Sequence, residues 1–270
     1  MSMVKNFLIA EAGINHGGNI KTALKLVGAA KKAGADSIKF QTYKTEKRIN
    51  KKHIKIFEIL KKCELNYSDF KIIKDYCDHK KITFFSTPFD LEAVDFLAEI
   101  NVKLFKVASF DISNNELINK VLSKNVKTIV STGMASVKEI DNLNIKFQKK
   151  KVPLILMHCV SSYPNKSENS YLSNIEFLKK RYKCEIGLSD HTNDIKIPIY
   201  SGFLGVKYIE KHFKINKYHK CVDEKVSITT KQFIDLKKGL DKVNKIMGKT
   251  TFGIKPEEKS SIVFKRKKIY

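Results

Sequence analysis

The stretch Ile209-Glu210-Lys211-His212-Phe213, "IEKHF", follows "FLGVKY" and reads as a strand by its flanks, yet its centre is three ionisable residues in a row. Burying such groups without partners costs several kcal/mol or more, so a purely structural role explains them poorly. Successive side chains of a strand point to opposite faces. Glu210 and His212 therefore share one face, and Ile209, Lys211 and Phe213 share the other. Lys211 is expected to run outward among the surrounding helices with its ammonium in water. A carboxylate and an imidazole presented together at a strand end point to chemistry.

Working outward, short β-like runs alternate with helical patterns along the whole chain. The strand candidates are 7–14, 37–41, 82–87, 104–108, 128–131, 154–159, 185–189 and 208–212. Helix starts are legible between them. Asn19 stands before "IKTALKLVGAAKKAG", closed by Gly34, and Asp90 follows "STPF". Ser113/Glu116, Ser136/Glu139, Ser173/Glu176 and Thr229/Gln232 have the spacing of a capping box. Eight such units within the 270 residues have the size and period of a TIM (β/α)8 barrel. A doubly wound open sheet is the alternative, but it does not require eight regular units. The barrel is expected over residues 1–250, with a basic tail over 251–270.

Barrels of this kind carry their chemistry at the C-terminal ends of the strands, and those ends are polar here. They supply Glu11; Lys39 and Gln41; Ser86 and Thr87; Lys106, Ser109 and Asp111; Ser131 and Thr132; His158, Ser161 and Tyr163; Ser189 and His191; Glu210 and His212. A single strand-end hydroxyl is ordinarily a turn former, so the weight lies in the repetition. His158, after "LILM", reads as a satisfied core group. His16, between glycines, reads as exposed, and His53, His79 and His219 as surface residues. Lys39 and Lys106, with the hydroxyls of Thr87, Ser109, Ser131 and Ser189, suit a multiply charged phosphate-carboxylate ligand. His191 and His212, on neighbouring strands, can share one divalent ion and leave positions open for substrate oxygens. Mn²⁺ or Mg²⁺ suits that set, with Zn²⁺ also open.

Bulk properties narrow the class. The formal charge is +24, but only Arg48, Arg181 and Arg266 are arginines among 52 basic residues. Arginine is the residue suited to bidentate phosphate and base contacts, so nucleic acid is not the expected partner. Five widely spaced cysteines, without a C-x-x-C pair, argue for reduced thiols rather than a disulfide framework or a structural zinc site. The N-terminus is too weakly apolar for a secretory signal and no run approaches a membrane span. The expected setting is cytoplasmic.

The segments "IAEAGINHGG", "GADSIKFQTYKTE", "STPFD", "FKVASFDI", "STGMAS", "GLSDHT" and "IEKHF", in this order, resemble the sialic acid synthase family over residues 5 to 255. The resemblance implies a TIM barrel that condenses phosphoenolpyruvate with an N-acetylated hexose, such as N-acetylmannosamine, and releases phosphate. It implies that Lys39, Lys106, Thr87, Ser109, Ser131 and Ser189 hold phosphoenolpyruvate, and that His191 and His212 hold the metal. Gln41, Tyr163, Glu210 and Asp223 match positions that contact the amino sugar or the metal's waters. Glu11 matches an acidic residue near the reacting carbons, and Asp111 and Ser161 stand where the family more often has Glu and Asn. The family also implies a homodimer whose small C-terminal cap domain supplies an arginine across to the partner's sugar site. The sequence ends near the start of that linker, with Arg266 in the tail, so a separately encoded cap is a further expectation. Another phosphoenolpyruvate-condensing barrel, of the deoxyheptulosonate-phosphate type, is the alternative enzyme. A degenerate barrel kept as a basic binding protein is the non-enzymatic one.

Overall fold

The structure is a computed structural model that describes residues 5–265; Arg266 lies outside the described residues. Eight parallel strands follow one another in chain order: β1 (Phe7–Gly13), β2 (Ser37–Thr42), β3 (Thr83–Pro88), β4 (Phe105–Val107), β5 (Thr128–Ser131), β6 (Leu154–His158), β7 (Glu185–Asp190) and β8 (Tyr208–Lys214). The sheet closes because β8 returns to pair with β1, from Phe7 opposite Tyr208 to Glu11 opposite His212. Closure excludes the open doubly wound sheet. A two-residue β9 (Ile228–Thr229) pairs in parallel beside the end of β8, with Phe213 opposite Ile228.

The strand sequences explain two separate apolar layers. Outward residues such as Ile38, Phe40, Ile209 and Phe213 pack with the helices in the main core. Inward residues near the strand starts, Ile9, Phe85, Leu104, Ile129, Ile155, Met157 and Tyr208, form a plug inside the barrel. Large buried side chains of this kind contribute about 1.5–3 kcal/mol each. The plug separates the C-terminal mouth of the barrel from its opposite end.

The helices are α1 (Ile20–Lys32), α2 (Thr45–Arg48), α3 (Ile54–Cys63), α4 (Tyr67–His79), α5 (Leu91–Glu99), α6 (Asn115–Ser123), α7 (Val137–Lys150), α8 (Ser173–Arg181), α9 (Lys196–Phe203) and α10 (Thr230–Met247). Asn19 caps α1 and Asp90 caps α5, while Ser136/Glu139 and Thr229/Gln232 form complete capping boxes. Two expected starts are displaced. Asn114 caps α6, and the Ser113 hydroxyl instead donates to Glu139. Ser173 is already the first helical residue of α8, and Leu172, which has no side chain able to cap, takes the N-cap position. Three helices rather than one fill the β2–β3 connection, and the shortest of them, α2, ends at the barrel mouth.

The register confirms the alternation in β8, with Ser189 opposite Glu210 and Asp190 opposite Lys211. Lys211 does point outward, but it does not reach water. Its side chain is fully buried, and its ammonium donates to Asp190 Oδ2 at 2.6 Å and to the Thr192 carbonyl. The surrounding helices seal this region, and the carboxylate on β7 takes the place of solvent. His16 is likewise buried rather than exposed, with Nδ1 accepting from the Gly18 N–H at 3.1 Å. His158 is the satisfied core group expected, held 2.7 Å from the Ser170 carbonyl. Beyond α10, residues Pro256–Phe264 form a 3₁₀ helix that buries no residue. No helix among the described residues is long and apolar enough to cross a membrane.

Candidate active site

Above the apolar plug lies a layer of four buried charges supplied by β1, β2, β4 and β8. Lys39 Nζ is 2.8 Å from Glu11 Oε2 and 3.8 Å from Glu210 Oε1, and Lys106 Nζ is 2.8 Å from Glu210 Oε2. Lys106 Nζ also sits 3.7 Å from Met157 Sδ, where the charged layer meets the plug. The two carboxyls are pushed apart in acidity. Burial raises the pKa of Glu11 against the opposing pull of Lys39. Burial acts on Glu210 in the same sense, but Lys106 and Lys39 together outweigh it and hold Glu210 down at about 2. Burial also lowers Lys106. Burial and the two lysines thus drive these neighbouring carboxyls in opposite directions.

Hydroxyls ring this layer. Lys39 donates to Thr87 Oγ1 at 3.1 Å, and Ser189 donates to Glu210 at 3.0 Å. Ser109 Oγ accepts from the Gly133 N–H at 3.1 Å and lies 3.0 Å from Cys159 Sγ. Together with Ser131 and Gln41 these groups line one cavity of about 230 Å³ at the C-terminal mouth of the barrel. Gln41 closes toward the carboxylates, with Nε2 3.4 Å from Glu11 Oε1.

The imidazoles occupy the β7–β8 side of the same cavity. The rings of His191 and His212 are 5.5 Å apart, and the Tyr163 ring lies 4.2 Å from His191. His191 Nδ1 is 2.7 Å from the Val160 carbonyl, which can only accept. Nδ1 must therefore carry the proton, leaving the Nε2 lone pair free. Burial, with repulsion from His212, brings the His191 pKa down to about 4, so the ring is neutral at pH 7. For His212 burial acts downward too, but Asp223, with Oδ2 3.3 Å from Nδ1, reverses the shift and raises it. That Nδ1 is buried without an aligned hydrogen-bond partner. Asn15, which accepts from the Asp223 N–H at 2.9 Å, positions the Asp223 loop.

These donors fit a divalent ion held by few protein ligands. One ring is oriented by a backbone carbonyl with its free nitrogen available, and the other has a buried nitrogen lacking an aligned partner. Among the described residues no three His, Cys, Asp or Glu side chains converge as a metal-binding group. An ion resting on His191 and His212 would keep its other positions for water and substrate oxygens.

The structure thus gathers thirteen of the fifteen residues singled out from the sequence around one cavity: Glu11, Lys39, Gln41, Thr87, Lys106, Ser109, Ser131, Tyr163, Ser189, His191, Glu210, His212 and Asp223. Asp111 and Ser161 stand apart. Asp111 closes a 3₁₀ turn over Ser109–Asp111 and accepts from Asn114 at 3.1 Å, so Phe110 lines the mouth instead. Ser161 faces a neighbouring cavity between α7 and α8, beside Met134 and Phe177. Sequence reasoning missed Ile14, Arg48, Phe89 and Cys159, which also line the site. Arg48 had a usable signal, being one of three arginines in a lysine-rich chain.

Comparison with known proteins identifies the family. Residues 26–252 match the NeuB family. An uncharacterized protein of Methanocaldococcus jannaschii is 39% identical over 264 residues, covering 97% of this chain and 78% of the relative. The N,N'-diacetyllegionaminic acid synthase of Campylobacter jejuni is 36% identical over 277 residues, covering 96% and 81%. The crystal structure of N-acetylneuraminic acid (sialic acid) synthetase from Leptospira borgpetersenii in complex with citrate superposes with a TM-score of 0.93 at 36% identity, covering 97% of this chain and 92% of that one. The chain belongs to the NeuB family, and its relatives include sialic, legionaminic and pseudaminic acid synthases.

Proposed function

We propose that this protein condenses phosphoenolpyruvate with the open-chain aldehyde of an N-acetylated hexose of the N-acetylmannosamine type, releasing inorganic phosphate. The observation that carries the reading is the pairing of Lys39 and Lys106 with the oppositely perturbed Glu11 and Glu210, in a hydroxyl-lined cavity beside two open imidazoles. Lys39 and Lys106, with Thr87, Ser109, Ser131 and Ser189, bind the phosphate and carboxylate oxygens. Gln41, Tyr163 and Asp223 line the side where the sugar enters.

C3 of phosphoenolpyruvate attacks the aldehyde carbon, water adds at C2, and phosphate departs with cleavage of its C2–O bond. Glu11, whose burial favours the protonated form, is placed to move a proton at the reacting carbons. Glu210 stays ionised and keeps both ammonium groups aimed into the cavity. Mn²⁺ or Mg²⁺ on His191 and His212 would polarise the aldehyde and stabilise the developing alkoxide charge. The sheltered lumen strengthens each of these interactions relative to water.

The test is phosphate release from phosphoenolpyruvate, followed against a panel of N-acetylated hexoses with and without divalent metal. Metal-dependent, sugar-dependent release is expected. Turnover with erythrose 4-phosphate in preference to every amino sugar, or none with any acceptor, would overturn the reading.

A further inference from the structure

Arg48 is the one cation lining the cavity, among the described residues, that the cavity's own carboxylates leave without an ion-pair partner. Glu11 is taken by Lys39 and Glu210 by Lys106, each at 2.8 Å, and Asp223 lies 3.3 Å from His212. The Arg48 guanidinium makes a single hydrogen bond, from Nη1 to Gln41 Oε1 at 2.9 Å. That partner is a neutral amide. The rest of the group is braced by aromatic rings, 3.8 Å from the centre of Phe89 and 4.6 Å from that of Tyr43. Its support is equally fixed. Tyr43 donates to the Leu60 carbonyl at 2.9 Å, and Thr45, at the start of α2, donates from its N–H and hydroxyl to Glu64 at 2.9 and 2.7 Å.

A half-buried guanidinium with one neutral partner is costly to the isolated fold. Its planar fork is shaped for two-point contact with a carboxylate or phosphate. Its contact with Gln41 and the attraction it feels from Asp111 and, more weakly, Asp223, neither of which forms an ion pair with it, set it on the sugar side, away from the buried lysines. We propose that Arg48 is an oxyanion-binding residue of the sugar half of the site, selecting an acceptor that carries an acidic group remote from its aldehyde. The inference rests on the synthase reading and deepens it by naming the substrate class. Phosphoenolpyruvate is the other possible source of the same oxyanion chemistry.

Isothermal titration separates the two sources. Wild type, Arg48→Gln and Arg48→Lys are titrated with phosphoenolpyruvate, with N-acetylmannosamine and with its 6-phosphate, alongside KM and kcat for each sugar. Wild type is expected to bind the phosphorylated sugar at least about tenfold more tightly than the neutral one. Arg48→Gln should erase that preference while leaving phosphoenolpyruvate affinity unchanged. Arg48→Lys, which keeps the charge without the fork and serves where the glutamine variant melts early, should fall between. A preference absent from wild type, or surviving in both variants, overturns the inference, as does a loss confined to phosphoenolpyruvate. If wild type binds the phosphorylated sugar through Arg48 yet releases no phosphate from phosphoenolpyruvate with any acceptor, the synthase reading fails and the anion site stands.

Discussion

Lys211 Nζ and Asp190 Oδ2 meet at 2.6 Å on the outer wall of the barrel, each one residue before an imidazole of the site, His212 and His191 respectively. The pair clamps β7 to β8 at the point where both rings leave the wall. Removing one partner strands a buried charge, which costs roughly 3–5 kcal/mol, whereas removing both is far milder. Lys211→Met should therefore lower stability in urea by about that amount, and adding Asp190→Asn should recover much of it. A loss below about 1 kcal/mol in the single variant would show that the clamp is dispensable.

Gly133 is packed closely against three side-chain ends. A Cβ there would stand 2.5 Å from Ser161 Oγ, 2.8 Å from Cys159 Sγ and 2.9 Å from Ser109 Oγ. Gly133→Ala must push these side-chain ends aside, Ser109 on the cavity wall among them, at an overpacking cost of about 1–3 kcal/mol. Phosphoenolpyruvate affinity measured by titration should fall several-fold, with the melting temperature only modestly reduced. Unaltered affinity would remove Ser109 from the proposed cradle.

Chelation should abolish phosphate release, and added Mn²⁺ or Mg²⁺ should restore it. His191→Ala and His212→Ala should each weaken metal binding by more than about 100-fold in direct titration. Because Asp223 raises the His212 pKa against the effect of burial, the ring must lose a proton to bind, and metal affinity should rise with pH. Binding that survives both alanine variants would place the ion elsewhere.

At the opposite end of the barrel, Glu185 is gripped by Lys127 Nζ at 2.5 Å, by the Tyr208 hydroxyl at 3.0 Å and by Lys207. Burial works against ionisation, but these three donors bring its pKa down to about 2. A carboxylate lowered in the folded state adds stability above its unfolded pKa of about 4.5, lost as pH falls toward 2. Because the side chain is 31% exposed, screening leaves about 1 kcal/mol of this. Wild type should out-melt Glu185→Gln at pH 7, and the gap should shrink at pH 3. A gap that is constant over this range would assign the effect to packing.

Local chemistry made the strand ends legible. Alternation along a strand is a property of φ and ψ, so "IEKHF" alone determined that Glu210 and His212 share a face, and the repeated strand–helix pattern determined a barrel rich in polar strand ends. Asn19, Asp90, Ser136 and Thr229 could likewise be identified as caps, because a cap acts within four residues. Partnership is not local. Lys211 looked solvent-bound until Asp190, 21 residues away, was seen against it. Arg48 joined the site only because α2 turns back over β3 to lay its guanidinium on Phe89, and Asp111 left it through one 3₁₀ turn. Barrel closure, from β1 to β8 across 200 residues between Asn6 and Val206, follows from pairing that no window of sequence contains. The sequence by itself determined which residues could do chemistry; the tertiary structure decided which charges are paired, because burial and counter-charge depend on what the rest of the chain brings alongside.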